Sequence, residues 1–267
     1  MFKFKKSVGK SYLINTCNNL DFPSPIIKTN LDSTSTHLRF LAENGASHGT
    51  IVISDRQSAG RGRMGKSFLS PDGGLYMSIL LKRDLMSDSL GLITPAAAVA
   101  TAMAIKDVFD IDVSVKWVND LFYNERKVCG ILTEVVRDPT DEQIKYVVLG
   151  IGVNVFKPRR GFGELSSIAG SLLKGSKDRN TIYRLASQIT ENFFRLWNIN
   201  MHTTIYHEYK KRLFILSNKI YILRGNEKHT ATVRELENDF SLTVEYADGR
   251  REKLFSGEIS IIPHLNS

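Results

Sequence analysis

Cysteine is nearly missing from these 267 residues: there are two, Cys17 and Cys129. They form no CxxC pair, and nothing near them supplies a zinc-ligand set, which excludes a finger-type metal site and a disulfide scaffold. Both are expected to be reduced thiols of an intracellular protein. Long apolar runs are lacking too. The alanine-rich stretch 95–105 ends at Lys106 and Asp107, short of the roughly 20 residues of a membrane span. The first 20 residues contain Lys3, Lys5, Lys6 and Lys10 and no acid, but they lack the Arg- and Ser-rich character of a transit peptide and the apolar core of a signal peptide. The expected location is cytoplasmic, with no membrane partner. Internal repeats and low-complexity tracts are also missing.

What is present is ordinary in bulk. With 42% hydrophobic and 24% charged residues, the chain is long enough to bury a sizeable core as one large domain, or as a large and a small one. Its net charge of +8 favours an anionic partner, whether nucleotide, nucleic acid or acidic protein, without choosing among them.

The most unusual stretch is Gly60-Arg61-Gly62-Arg63-Met64-Gly65. Glycine lets backbone approach a ligand closely, and guanidinium forks bind carboxylate or phosphate through paired hydrogen bonds. An ordinary basic surface loop would have the same composition, so its surroundings decide. The connection runs on to Pro71-Asp72-Gly73-Gly74, and long loops in compact domains are usually functional. A rigid phosphate loop would lead at once into a helix N-terminus, whereas this one leads to a strand; it reads as a closing lid.

Patterning around the loop places strands at 26–28, 49–54 and 75–81. A helix starts among the cap-forming Asp32, Ser33, Thr34, Ser35 and Thr36 and stops at Asn44-Gly45. A second helix is predicted over 90–109, with Pro95 in an early turn. The strands 113–117 and 121–123, the hairpin into 127–136, and 144–155 are joined by short turns, which indicates a mixed, mainly antiparallel sheet. A short helix is expected over 165–173, an amphipathic one over 180–197 and another over 204–213. Beyond Ser217 the strands 219–224, 230–236, 242–246, 251–255 and 258–262 alternate with turns at Gly225-Asn226, Asn238-Asp239, Asp248-Gly249 and Ser256-Gly257, the pattern of a small SH3-like β-barrel. The fold class is therefore α+β: an N-terminal extension (1–25), a main domain (26–215) and a small β domain (216–267).

Three segments converge in chemistry: the glycine-arginine loop, Lys116-Trp117-Val118-Asn119-Asp120, and Arg126-Lys127-Val128-Cys129-Gly130-Ile131-Leu132. Together they resemble the biotin protein ligases, whose pattern is a GRGRxG loop, a KWPND segment and an RKxxGIL strand in this order. The resemblance extends to Asp32-Ser33-Thr34, Gly150-Ile151-Gly152-Val153-Asn154 and Gly257-Glu258-Ile259-Ser260, and so covers about 26–262. It implies a class II synthetase-like catalytic domain of the biotin/lipoate ligase type. The activity it implies is ATP- and Mg²⁺-dependent conversion of biotin to biotinyl-5′-AMP, then transfer to a lysine of a biotin carboxyl carrier protein domain of a carboxylase.

Joining a carboxylate to a phosphate requires fixed cations and N–H donors to offset the repulsion of two anions. The resemblance assigns this to Arg63 and Lys127 as catalytic groups, with Arg61 and Gly62 on the loop. It makes Asp120 the group that orients the incoming amine and accepts its proton. Ser33, Thr34, Ser35 and Gln57 match the positions that contact biotin, whose uncharged ureido ring needs neutral partners. Gly60, Gly130 and Gly152 let backbone reach the ligand, while Lys116, Trp117, Asn119 and Asn154 complete the binding set; no protein metal ligand is implied. The hydroxyls at the helix start could equally serve only as caps, and Asp120 could merely pair with Lys116. Two departures stand out. Val118 replaces the usual proline, and Phe68 occupies a position where some members have tryptophan, which suggests a smaller aromatic lid over the adenine.

Some members of this family carry an N-terminal winged-helix domain of about sixty residues. Only 31 residues precede Asp32 here, so a single-function ligase without DNA binding is expected; a homodimer is compatible with the sequence. Lipoate ligase is the nearest alternative. A basic nucleic-acid-binding module and a non-catalytic biotin sensor are more remote ones.

Overall fold

The computed structural model describes residues 8–82, 85, 87–175, 178–197, 201–224, 227–255 and 258–261. The expected turns at Gly225-Asn226 and Ser256-Gly257, and Lys3, Lys5 and Lys6, lie outside the described residues.

The main sheet has seven strands: β1 (Ile26–Lys28), β2 (Ile51–Ser54), β3 (Leu75–Leu81), β4 (Ser114–Lys116), β5 (Asp120–Tyr123), β6 (Arg126–Arg137) and β7 (Ile144–Val153). Their order is β1-β2-β3-β7-β6-β5-β4. Only β1 with β2 is parallel, and the other neighbours run antiparallel. Short turns join β4 to β7 in sequence, so they pair as a meander, as the patterning predicts.

Helices cover both faces. α2 (Thr34–Glu43) is capped by Ser33, whose hydroxyl accepts from Thr36 N, and it buries Leu38 and Ala42 against Val52, Leu80, Tyr146 and Val148. The opposite face is covered by α3 (Ser87–Phe109) and α4 (Arg179–Leu196), with α5 (His202–Arg212) against α3. α4 follows its predicted period, burying Ile182, Leu185, Ile189 and Phe193. α3 begins at Ser87, so Pro95 falls inside the helix, not in an early turn. The stretch Leu90–Phe109 is long and apolar enough by composition to cross a membrane, contrary to the sequence reading, but two-thirds of it is buried within the protein.

Two segments differ from expectation. Residues 8–19, read as part of an extension, form α1 (Val8–Asn19), which buries Leu13 and Cys17. It packs on α4 through Thr16 Oγ1 and Ser187 Oγ, 2.7 Å apart. Residues 165–173 are not a helix: a 3₁₀ turn at Gly163–Ser167 gives way to extended backbone that pairs Ala169 with Lys127 and Leu173 with Phe156. Pairing with the start of β6 and with the chain just past β7 satisfies backbone groups that a short isolated helix would leave open.

The remaining strands, β8 (Lys219–Arg224), β9 (Glu227–Leu236), β10 (Leu242–Tyr246), β11 (Arg251–Leu254) and β12 (Glu258–Ile261), form an antiparallel sheet in the order β11-β10-β9-β8-β12. Four strands meander and the fifth returns to the first, consistent with the SH3-like expectation. This sheet is fastened to the turn between β4 and β5, where Trp117 Nε1 donates to Phe240 O at 2.8 Å; α5 holds the same turn, Tyr209 Oη donating to Val118 O at 3.0 Å. The Trp117–Val118 peptide, at the position of the missing proline, is cis.

Candidate active site

A cavity of about 260 Å³ opens between the start of α2, the 60–68 loop and the strands β3, β6 and β7. Its floor follows from the sequence of the two central strands. Gly130 and Gly152 are register partners across β6 and β7, as are Leu132 and Gly150. A Cβ at Gly152 would stand 2.6 Å from Phe68 Cε1, one at Gly130 2.9 Å from Phe68 Cε2, and one at Gly150 2.9 Å from Ser35 Oγ. Glycine is thus required by space at this floor. Phe68 lies on it, edge-on to Tyr76, so the aromatic expected as a lid over adenine rests against the sheet.

The inner end of the cavity is neutral and polar. Thr34 N donates to Gln57 Oε1 at 2.7 Å and Thr34 Oγ1 to the same oxygen at 3.1 Å. Gln57 Nε2 donates to Ser70 Oγ at 2.8 Å. Ser78 Oγ is 2.8 Å from Thr34 Oγ1 and 3.1 Å from Ser35 Oγ. Ser33, Thr34, Ser35 and Ser78 are all buried. The hydroxyls therefore cap a helix, brace one another and line the cavity together. Ser70 and Ser78 are partners that sequence reasoning missed; Ser78 had only the signal of a hydroxyl within the otherwise apolar strand β3, and Ser70, in the preceding loop, had none.

Charge collects at the other end. Lys127 Nζ lies 2.7 Å from Asp120 Oδ1, with both side chains mostly buried. Asp120 therefore pairs with Lys127 in preference to Lys116, its register partner; Lys116 Nζ stands over the Phe122 ring at 5.8 Å. Arg63 Nη1 donates to Asn119 Oδ1 at 3.1 Å, and Arg61 Nη2 reaches Glu134 Oε1 at 2.5 Å. The loop bearing both arginines folds back on itself: Gly62 N donates to Lys66 O at 2.7 Å and Phe68 N to Gly60 O at 2.8 Å. Met64 at φ 54° and Gly65 at φ 73° form its tip, left-handed geometry that costs glycine little.

Fourteen of the residues singled out from the sequence line this one cavity: Ser33, Thr34, Ser35, Gln57, Arg61, Gly62, Arg63, Lys116, Trp117, Asn119, Asp120, Lys127, Gly130 and Gly152. Two do not. Gly60 sits at the base of the loop, where a Cβ would come 2.3 Å from Phe68 O. Asn154 lies past the end of β7, buried, its N donating to Val128 O at 2.7 Å and its O accepting from Leu172 N at 3.0 Å. Ile259 of the small sheet also lines the cavity. Cys129 stays out of the chemistry, because burial, with Asp120 adding to it, holds its thiol far above the usual range. Burial likewise raises Cys17 to about 11.

The mainly antiparallel sheet with its covering helices and small second sheet matches the fold of solved biotin protein ligases. Residues 28–154 match the Biotin/lipoate A/B protein ligase family. A bifunctional ligase/repressor of Bacillus subtilis is 37% identical over 151 residues, 56% of this chain and 46% of that protein. A biotin–[acetyl-CoA-carboxylase] ligase of Mycobacterium tuberculosis is 25% identical over 238 residues, 85% of each chain. Biotin protein ligase from Aquifex aeolicus, solved in complex with biotin and ATP, is 26% identical with a TM-score of 0.71, covering 90% of this chain and 99% of that one. The matched region spans about half the length of the first of these curated relatives.

Proposed function

We propose that the chain activates biotin with ATP to biotinyl-5′-AMP, releasing pyrophosphate, and then transfers the biotinyl group to a lysine of a biotin carboxyl carrier domain, releasing AMP. The observation that carries this reading is the polarity of the cavity: neutral hydrogen-bonding groups at one end and Arg63, Lys116 and Lys127 at the other. A ureido ring suits the neutral end, because its carbonyl and two N–H groups need uncharged partners. The dithiolane of lipoate has no such groups. Two anions, the acid's carboxylate and the α-phosphate, suit the cationic end.

In the first step a carboxylate oxygen of biotin attacks the α-phosphorus and pyrophosphate leaves. Lys127 is placed to stabilise the growing negative charge, and Arg63 to steady the phosphate from the loop. An anion arriving beside Lys127 competes with Asp120 for the ammonium. That exchange frees the Asp120 carboxylate for the second step, in which it orients the acceptor amine and takes its proton as the amine attacks the anhydride carbonyl. Among the described residues no three His, Cys, Asp or Glu side chains gather as a metal site. Mg²⁺ is taken to arrive with the ATP substrate, held largely by phosphate oxygens. We assign the chemistry to residues 26–215 and support of the Trp117–Asp120 turn to 216–267. The two buried free cysteines suit a reducing, cytoplasmic setting.

The test is pyrophosphate release from ATP and Mg²⁺ with biotin or lipoate as the acid. Release with biotin alone is expected, and release with lipoate alone would refute the assignment. A second prediction concerns the floor. Gly152→Ala puts a methyl 2.6 Å from Phe68 Cε1 and pushes that ring into the cavity. The KM for biotin should rise about tenfold, the scale of one misplaced methyl group, while kcat for pyrophosphate release changes less; titration of initial rates against biotin measures it.

A further inference from the structure

The proposed ligands of this cavity are anionic, yet a carboxylate, Glu134, reaches one of its lining arginines. Glu134 lies on β6, two residues beyond the lining residue Leu132, in register with Val148 on β7. Its side chain is 12% exposed, whereas that of Arg61, 2.5 Å away, is 40% exposed. Glu134 Oε2 is also buried and has no hydrogen-bond partner among the described residues. A carboxylate so placed is costly without a cation beside it. A central strand cannot follow a loop, so the loop must come to the strand. Arg61 pairs with Ser67 across the 60–68 hairpin, and the bonds between Gly62 and Lys66 and between Gly60 and Phe68 tie its arms together. Fixing Arg61 therefore fixes the hairpin as a unit.

We infer that Glu134 is a positioning residue. Through Arg61 it holds the 60–68 hairpin down over the cavity, and it occupies the Arg61 guanidinium so that Arg63 becomes the loop's arginine for the phosphate. This role for Arg61 differs from the sequence-based expectation that both arginines serve the adenylate directly. Glu134 touches no reacting atom; its effect is on how long the adenylate stays enclosed. The inference rests on the proposed adenylation.

The experiment measures release of preformed biotinyl-AMP into a chase of unlabelled biotin, for the wild type, Glu134→Ala, Arg61→Ala and the double variant. Each single change is expected to speed release about tenfold, and the double to be no worse than either single, as for residues acting through one contact. The exchanged pair, Arg61→Glu with Glu134→Arg, should recover most of the retention, which a merely space-filling role would not produce. Wild-type retention in Glu134→Ala, or a double variant whose effect is the product of the singles, would overturn the inference. Should Glu134→Ala fail to fold, the same cycle run with Glu134→Gln decides. A wild-type protein that makes no adenylate at all refutes the proposed function before the latch is tested.

Discussion

Lys127→Ala is expected to slow adenylate formation by about 10²–10³, the cost of removing one preorganised donor from a developing anion. Two features of the site set that scale. Lys127 sits on a rigid strand, held by backbone pairing of its N to Ile168 O and of its O to Gly170 N, so its position does not depend on closure of the loop. Its loss also takes from Asp120 the ammonium that lies 2.7 Å from its Oδ1, leaving the carboxylate facing two incoming anions. Charge stabilisation thus turns into repulsion. Stability should also fall, by about 1–3 kcal/mol, because the mostly buried Asp120 carboxylate loses its cation. Stopped-flow pyrophosphate release together with a melting curve separates the two effects; undiminished adenylate formation would remove Lys127 from the mechanism.

Asp120→Asn is expected to divide the reaction. The amide keeps the shape of the side chain but can neither hold an ammonium by charge nor take its proton, and general-base removal costs about 10²-fold or more. An acceptor lysine has a reference pKa of about 10.4 and arrives protonated, so the transfer step carries this loss. Adenylation has no proton for Asp120 to accept and should suffer less. Single-turnover transfer from preformed adenylate to a carrier domain, compared with pyrophosphate release, measures the split. Equal losses in both steps would assign Asp120 a structural role.

Much of the site was legible because its chemistry is local in sequence. Glycines paired with arginines, and the Lys116–Asp120 and Arg126–Leu132 segments, keep their spacing whatever fold they are set in, and the sheet then brings them to one cavity. Strong periodicity made α4 readable. α1 was not, because its apolar residues do not form one clear stripe and its burial depends on α4 some 170 residues away: Gly9 lies so close that a Cβ there would meet Asn180 O at 2.3 Å. Residues 165–173 have apolar spacing that suits a helix, but long-range pairing with Lys127 and Phe156 prevailed. Glu134 gave no signal either. An acid in an alternating strand reads as a solvated position, and its partner is 73 residues earlier in the chain. Sequence pattern identifies residues whose type carries the chemistry; it misses those whose role comes from the neighbour the fold assigns them.

The central claim is tested most directly by the mass of a biotin carboxyl carrier domain before and after incubation with this protein, biotin, ATP and Mg²⁺. The account predicts a gain of one biotinyl group on a single lysine, dependent on ATP and accompanied by AMP and pyrophosphate. An unchanged carrier mass despite bound biotin, or a gain seen only when lipoate replaces biotin, would contradict it.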